Sequence, residues 1–135
     1  MASSLIDSNV LLDVMTDDSE WFMWSSEAIA RAAEISRLVI NPIVFAEVSV
    51  RFSRIEHLDA ALPRNTFERE AIPFEAAFLA GKSLLNYRKR GGTTLSPLPD
   101  FLIGAHASVA GYRLITRDAA RYRTYYPRLE IMAPN

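Results

Sequence analysis

Four acidic residues stand at points of the chain where short apolar segments meet helical patterns. Asp7 follows an apolar strand pattern, Asp118 lies just beyond another, Asp100 begins a helical pattern, and Glu47 lies about one and a half turns into one. Capping roles explain Asp100 and Asp118 equally well, and a lone helix glutamate is usually solvated. A carboxylate at the end of a buried strand is costly unless a partner uses it, so Asp7 is the hardest to explain as a surface acid.

Acids gathered at one place favour a bound cation, because carboxylates packed together repel and some stay protonated without one. The chain has no cysteine, and His57 and His106 show no paired metal-ligand spacing, which argues against a zinc site. Oxygen ligands favour a hard cation, Mg²⁺ or Mn²⁺. Such an ion activates water and stabilises charge on a phosphate, so the pattern is typical of phosphoryl chemistry.

Three polar residues beside the acids, Ser8, Asn9 and Thr116, are candidates to bond the waters of such an ion. Turn and cap roles explain them about as well, and Asn9 is a candidate N-cap of the first helix. Asp13 lies six residues beyond Asp7 on that helix. We interpret it as a surface or capping acid rather than a ligand.

Short apolar strand patterns alternate with amphipathic helix patterns along the 135 residues, which we interpret as one domain, 1–135. Such alternation predicts an α/β fold: a three-layer α/β/α arrangement around a mostly parallel, four- to five-stranded sheet. Ligands bind beyond the carboxyl ends of the strands in such sheets, where the four acids would gather. The strand patterns lie at residues 4–7, 37–41, 71–72, 112–116 and 129–132.

Two further helices and one loop carry specific predictions. The helix over 74–90 is expected to bury a stripe, and a loop fixed by prolines is expected over 93–99, before a helix that Asp100 opens. The stripe predicted for the helix over 74–90 comprises Ala77, Phe78, Gly81, Leu84 and Leu85.

No apolar run approaches the roughly 20 residues that span a bilayer. The absence of cysteine fits a cytoplasmic protein.

Two clusters of residues are candidates for contacts with other molecules. Arg117, Arg121 and Arg123 alternate with Tyr122, a pattern in which arginine binds phosphate and tyrosine stacks on an unpaired base. The alternative is that the tyrosine packs at the sheet edge and the arginines are solvated. The net charge of −1 gives no hint of nucleic-acid binding by itself.

The run Trp21-Phe22-Met23-Trp24 is too apolar for one helix to bury completely, because adjacent helix positions face different ways. We therefore expect Trp21 or Trp24 to contact a protein partner. A wide buried helix face is the alternative.

Four segments resemble the motifs of the PIN-domain nucleases, and most closely those of the VapC-type toxins of bacterial toxin–antitoxin pairs. The resemblance implies a PIN-like fold and an endoribonuclease that depends on Mg²⁺ or Mn²⁺. Asp7, Glu47, Asp100 and Asp118 match the acidic quartet of the family, and Thr116 matches a hydroxyl residue often found before the last acid. A homodimer, held inactive by a small antitoxin protein whose tail crosses the active-site groove, is also implied. The segments are Leu5–Asp13, Asn41–Val48, Pro99–His106 and Leu114–Asp118.

Other classes of function fit the sequence less well. A receiver-like phosphoacceptor module also gathers acids at strand ends, but it needs a lysine near them, and Lys82 and Lys89 both lie in one helix. A non-catalytic PIN-like module that only binds a protein partner does not need four intact acids. Nucleotide binding through a glycine-rich loop is excluded because neither GxGxxG nor GxxxxGK[ST] occurs.

Overall fold

Five short strands form one sheet flanked by seven helices in the computed structural model, which describes residues 2–93 and 97–135. The predicted α/β class, with helices packed around a central sheet, is confirmed. The strands are β1 (Ala2–Ile6), β2 (Ser36–Ile40), β3 (Phe67–Arg69), β4 (Arg113–Ile115) and β5 (Ile131–Met132). The helices are α1 (Ser8–Met15), α2 (Phe22–Ile35), α3 (Pro42–Ser49), α4 (Ile55–Ala61), α5 (Phe74–Lys89), α6 (Leu98–Ala110) and α7 (Ala120–Tyr125).

The sheet is parallel throughout, in the order β3-β2-β1-β4-β5. Strand β1 is central, and Leu5 faces Val39 of β2 on one side and Leu114 of β4 on the other. All three side chains are fully buried, which explains the apolar strand patterns. Because the strands are parallel, their carboxyl ends meet at one edge of the sheet, and the residue after β1 is Asp7.

The third strand lies earlier in the chain than predicted. The extended piece expected at residues 71–72 is outside the sheet, and β3 pairs instead through Phe67 to Arg69 with β2. The N–H of Glu70 donates to the carbonyl of Ile40 at 3.0 Å and ends this ladder. A strand of three residues, with only Phe67 buried, is too short to give an alternating hydrophobic pattern.

The stripe predicted for α5 is wrong at four of its five positions, because the buried face is rotated by about one residue. Leu84 packs against the hydrophobic core as predicted, whereas Leu85 is 43 % exposed. Ala77 and Gly81 are exposed, and Phe78 is 69 % exposed. The fully buried positions are the small residues Ala76 and Ala80, which allow α5 to pack closely along α6. Both faces of this helix carry apolar residues, so periodicity alone did not distinguish them.

Two predictions concern the segment before α6. The loop expected over 93–99 lies partly outside the described residues, since 94–96 are not among them. The helix itself begins at Leu98, so Asp100 lies in its first turn rather than at its cap. Within the described residues, none of the helices has the length and apolar character needed to cross a bilayer.

Candidate active site

The side chain of Asp7 is held at the carboxyl end of β1 by short hydrogen bonds from three groups, and only 4 % of Asp7 is exposed. Its Oδ1 accepts the backbone N–H of Ser8 at 2.7 Å, while Oδ2 accepts the hydroxyls of Thr116 at 2.8 Å and Tyr122 at 3.0 Å. Burial raises the pKa of Asp7 from 3.8 to about 6, although the bonds from Thr116 and Tyr122 act in the opposite direction. The negative charge of Asp100 raises this pKa further.

Glu47 is joined to Asp7 through one serine. The hydroxyl of Ser8 donates to Oε1 of Glu47 at 2.8 Å and lies 3.5 Å from Oδ1 of Asp7. Helix α3 is oriented by Asn41, whose side chain caps its first turn. Burial, and then the nearby charge of Asp100, raise the pKa of Glu47, while the Ser8 hydroxyl lowers it. Glu47 therefore belongs to the same electrostatic cluster as Asp7.

Asp100 and Asp118 line the same cavity as Asp7. Oδ2 of Asp100 accepts a hydrogen bond from Nη1 of Arg121 at 2.8 Å. Burial raises the pKa of Asp100, the charge of Asp118 adds to this, and Arg121 opposes it. Asp118 is exposed. A cavity of about 390 Å³ is lined by Asp7, Ser8, Asn9, Asp100, Asp118, Ala120, Arg121 and Tyr122.

Thr116 and Asn9 connect the end of β1 to the end of β4. The Thr116 hydroxyl donates to Asp7 and accepts the backbone N–H of Asp118 at 3.2 Å. Nδ2 of Asn9 donates to the same hydroxyl at 3.3 Å, and Oδ1 of Asn9 accepts the N–H of Arg117 at 3.2 Å. The N-cap of α1 is Asp7, so Asn9 is not the cap that the sequence indicated. Its side chain instead holds the loop that carries Asp118.

The donors at this edge fit a hard divalent cation in their chemistry. They are carboxylates and hydroxyls. Burial is the largest cause of the raised pKa values of Asp7, Glu47 and Asp100, and repulsion from a neighbouring carboxylate contributes to each. Among the described residues, however, no group of three or more His, Cys, Asp or Glu side chains is arranged to hold an ion. Bringing three of these carboxylates onto one cation would therefore require side-chain movement.

Comparison with known proteins establishes the family. The sequence model of the PIN domain matches residues 4–125. The chain belongs to the PIN domain family. The resemblance of the four sequence segments to the PIN-domain family is thus confirmed. None of the curated proteins gives a significant match.

Solved structures with the same fold as this PIN domain come from several bacteria. A chain of the Rickettsia felis VapBC2 complex, bound to a DNA fragment from its promoter, is 16 % identical over 98 % of this chain and 99 % of that one, with a TM-score of 0.74. A chain of the DNA-bound VapBC of Salmonella typhimurium is 18 % identical over 98 % of both chains, with a TM-score of 0.71. A toxin–antitoxin complex from Klebsiella pneumoniae matches at 21 % identity over 98 % of both chains, with a TM-score of 0.66.

Asp13 has a role in this PIN domain that the sequence did not reveal. It is only 3 % exposed, so its interpretation as a surface or capping acid is wrong. Nε and Nη2 of Arg117 bind its two carboxylate oxygens at 2.8 and 3.0 Å, and the Ser25 hydroxyl donates to Oδ2 at 2.8 Å. Arg117, a candidate RNA contact, is thus committed to an ion pair that ties α1 and α2 to the end of β4. The sequence signal for this burial was spacing: Asp13 follows the apolar Val10 by three residues, so both lie on the same face of the helix.

Tyr122 is likewise not placed to stack on a base. Only 2 % of it is exposed, and its hydroxyl is bound to Asp7, so the ring offers no free face. Arg121 and Arg123 differ from it: Arg121 lines the acidic cavity, and Arg123 is exposed. The sequence signal was that Tyr122 follows Asp118 by four residues, with a helical turn between them, a spacing that can bring both side chains to the same site.

The tryptophan run of α2 is divided between core and surface. Trp24 is half-buried and packs against the hydrophobic core. Trp21 is also half-buried, with the guanidinium of Arg117 5.5 Å from its ring centroid. Met23 is 66 % exposed. Each tryptophan therefore retains some accessible surface, although both also have contacts within the protein.

Proposed function

We propose that this PIN domain is a metal-dependent endoribonuclease that acts as the toxin of a toxin–antitoxin pair and hydrolyses RNA phosphodiester bonds in the cytoplasm. The observation that carries the proposal is the shared cavity of Asp7, Asp100 and Asp118, with Glu47 joined to Asp7 through Ser8. An acidic cluster of this kind repels a polyanion unless a cation is present, which supports divalent-metal chemistry over simple RNA binding.

The four acids are proposed to hold Mg²⁺ or Mn²⁺, which when bound lowers the pKa of water and stabilises charge on the phosphate. Thr116 and Tyr122 fix Oδ2 of Asp7, so the carboxylate keeps one orientation. Their hydrogen bonds also favour the ionised form of Asp7, which is the form that binds a cation. Ser8 performs a similar function for Glu47.

Two protein partners belong to the same proposal. Solved relatives that align over nearly the whole chain come from toxin–antitoxin complexes, which supports an antitoxin partner. Homodimer formation is supported by α5, where Phe74 is 90 % exposed and Phe78 is 69 % exposed. We retain Trp21 and Trp24 as proposed partner contacts because both rings keep some accessible surface.

The test is incubation of the purified protein with structured RNAs in Mg²⁺, in Mn²⁺ and in EDTA. We expect cleavage with either metal, none in EDTA, and a loss of at least two orders of magnitude in rate for Asp7→Asn, as for removal of one catalytic group. Asp17→Asn is the matched control, because Asp17 is an exposed turn residue with φ of 50°, a conformation that asparagine tolerates. Equal cleavage by wild type and Asp7→Asn would reject the mechanism. No cleavage of any RNA would favour a module that only binds a protein partner.

A further inference from the structure

We propose that the acidic cavity continues into a surface that binds the single-stranded RNA flanking the scissile bond. This inference rests on the proposed function, since it assumes RNA as the substrate. The surface combines residues from the last turn of α5 and from α7, and we call it the arginine–tyrosine surface. Its members are Tyr87, Arg90, Arg121 and Tyr125.

Arg121 connects this surface to the cavity. Its Nη1 lies 2.8 Å from Oδ2 of Asp100, and its Cζ lies 5.8 Å from the ring centroid of Tyr87. The rings of Tyr87 and Tyr125 are 6.4 Å apart between centroids and tilted by 52°. Cζ of Arg90 lies 5.1 Å from the centroid of Tyr125. Starting from Asp100, the contacts therefore run through a guanidinium group, two neighbouring aromatic rings and a second guanidinium group.

The exposure of these residues distinguishes them from the neighbouring core. Tyr87 and Tyr125 are half-buried and Arg90 is exposed, whereas Tyr122 and Tyr126 are buried. The accessible part of such a ring can stack on an unpaired base, and guanidinium groups bind the phosphates between bases. The ordinary alternative is that the arginines merely cover aromatic rings that pack on Phe101, whose ring is 4.8 Å from that of Tyr125.

Charge favours RNA as the occupant. A phosphodiester that enters the cavity meets three carboxylates, so binding of the flanking nucleotides must offset repulsion. Arg88, Lys89 and Arg90 give the end of α5 three consecutive cations, all exposed. An acidic protein segment would also be attracted, but it would make no use of the two aromatic rings between the arginines. Single-stranded RNA uses both the charge and the rings.

Binding is best tested with the full chain in EDTA, so that the result does not depend on cleavage. The probe is a fluorescently labelled, unstructured single-stranded RNA, and its affinity is measured by anisotropy over a series of salt concentrations. For Arg90→Gln we expect a several-fold loss of affinity. The slope of log affinity against log salt concentration should also become smaller in magnitude by about 0.7, the value for one phosphate contact on a single strand. Arg64→Gln is the control with the same change of charge. Arg64 is exposed just before β3, at the amino ends of the strands and hence at the opposite edge of the sheet.

Tyr125→Leu provides a second, uncharged variant. We expect it to lose about fivefold or more in affinity without a change of salt slope, because stacking releases no counterion. Equal affinity and equal slope for wild type, Arg90→Gln and Tyr125→Leu would overturn the inference, even if the wild type cleaves RNA with metal. If these variants bind RNA more weakly but the wild type cleaves no RNA, the proposed nuclease activity is rejected and RNA binding by the arginine–tyrosine surface is supported.

Discussion

The hydroxyl of Tyr122 lies 3.0 Å from Oδ2 of Asp7, deep in the wall of the acidic cavity. Four residues further on, the equally buried Tyr126 directs its hydroxyl away from the site. That hydroxyl donates to the carbonyl of Phe101 at 2.9 Å and accepts from Ser83 at 2.9 Å. Two buried tyrosines of one short segment thus serve different purposes, and only Tyr122 supports the carboxylate at the end of β1.

Replacement of Tyr122 by Phe is expected to shift the acidic limb of the pH profile for RNA cleavage to higher pH. The hydroxyl favours the ionised form of Asp7, so its removal raises the pKa of that carboxyl above about 6. The kcat/KM profile measures this, with the largest loss near the pKa and a smaller loss in alkaline buffer. Tyr126→Phe is the control and should keep the wild-type profile. Superimposable acidic limbs for Tyr122→Phe and wild type would contradict the role given to this hydroxyl.

Stability without metal is expected to fall as the pH rises from about 4 to about 6. Burial raises the pKa of Asp7 from 3.8 to about 6, so the folded state binds more protons than the unfolded state in this interval. This contribution is fully present below the unfolded pKa and is lost as the pH passes the folded pKa. At about 1.4 kcal/mol per pKa unit, the loss is roughly 3 kcal/mol.

Urea denaturation in EDTA at a series of pH values measures that loss. Asp7→Asn should remove most of the slope, because the neutral side chain has no charge to desolvate. Glu47 and Asp100 also have raised pKa values, so a smaller slope of the same sign remains. A variant whose free energy of unfolding follows the wild-type pH dependence would show that burial of Asp7 is not its source.

The fold and the position of Asp7 could be predicted because they rest on patterns that are local in the sequence. An apolar strand followed by an acid marks the carboxyl edge of the sheet, and parallel strands bring such edges together. The roles of Asp13 and Tyr122 depend on which helix face is buried. In these short helices the signal for each was a single spacing to one neighbouring residue, which is too weak to assign the face. The buried face of α5 was mispredicted for a related reason, since Phe78 is the exposed residue and Ala80 the buried one.

Loss of the Arg117 side chain is expected to destabilise the fold more than loss of a surface arginine. Among the residues that the structure describes, Arg117→Met leaves the buried carboxylate of Asp13 with only the Ser25 hydroxyl as a side-chain partner. Breaking a fully buried pair costs about 3 to 5 kcal/mol, and here we expect about 2 to 4 kcal/mol because 31 % of the Arg117 side chain is exposed. The free energy of unfolding from chemical denaturation is the measurement.

The double variant Asp13→Leu with Arg117→Met distinguishes the contribution of the ion pair from the contribution of side-chain packing. Removing both charges leaves no unpaired carboxylate, so the double variant should be more stable than Arg117→Met alone. Arg123→Met, in an exposed residue of α7, is the control and should change stability by less than about 0.5 kcal/mol. Additive effects of the two substitutions would mean that the contact between Asp13 and Arg117 contributes nothing of its own.

Self-association is expected to depend on the exposed face of α5. Phe74 and Phe78 lie one turn apart, and the exposed Ala77 and Gly81 beside them allow another helix to approach closely. A carboxylate placed within such an apolar contact must lose its hydration, and the exposed Lys82 one turn away would have to be buried with it to act as its partner. Phe78→Glu should therefore convert a dimer into a monomer while the fold is retained. Light scattering after size-exclusion chromatography gives the mass, and Val109→Glu, at an exposed apolar residue of α6, is the control. If Phe78→Glu remains a dimer, the dimer interface does not include this face of α5, because a glutamate at the centre of an apolar contact would disrupt it.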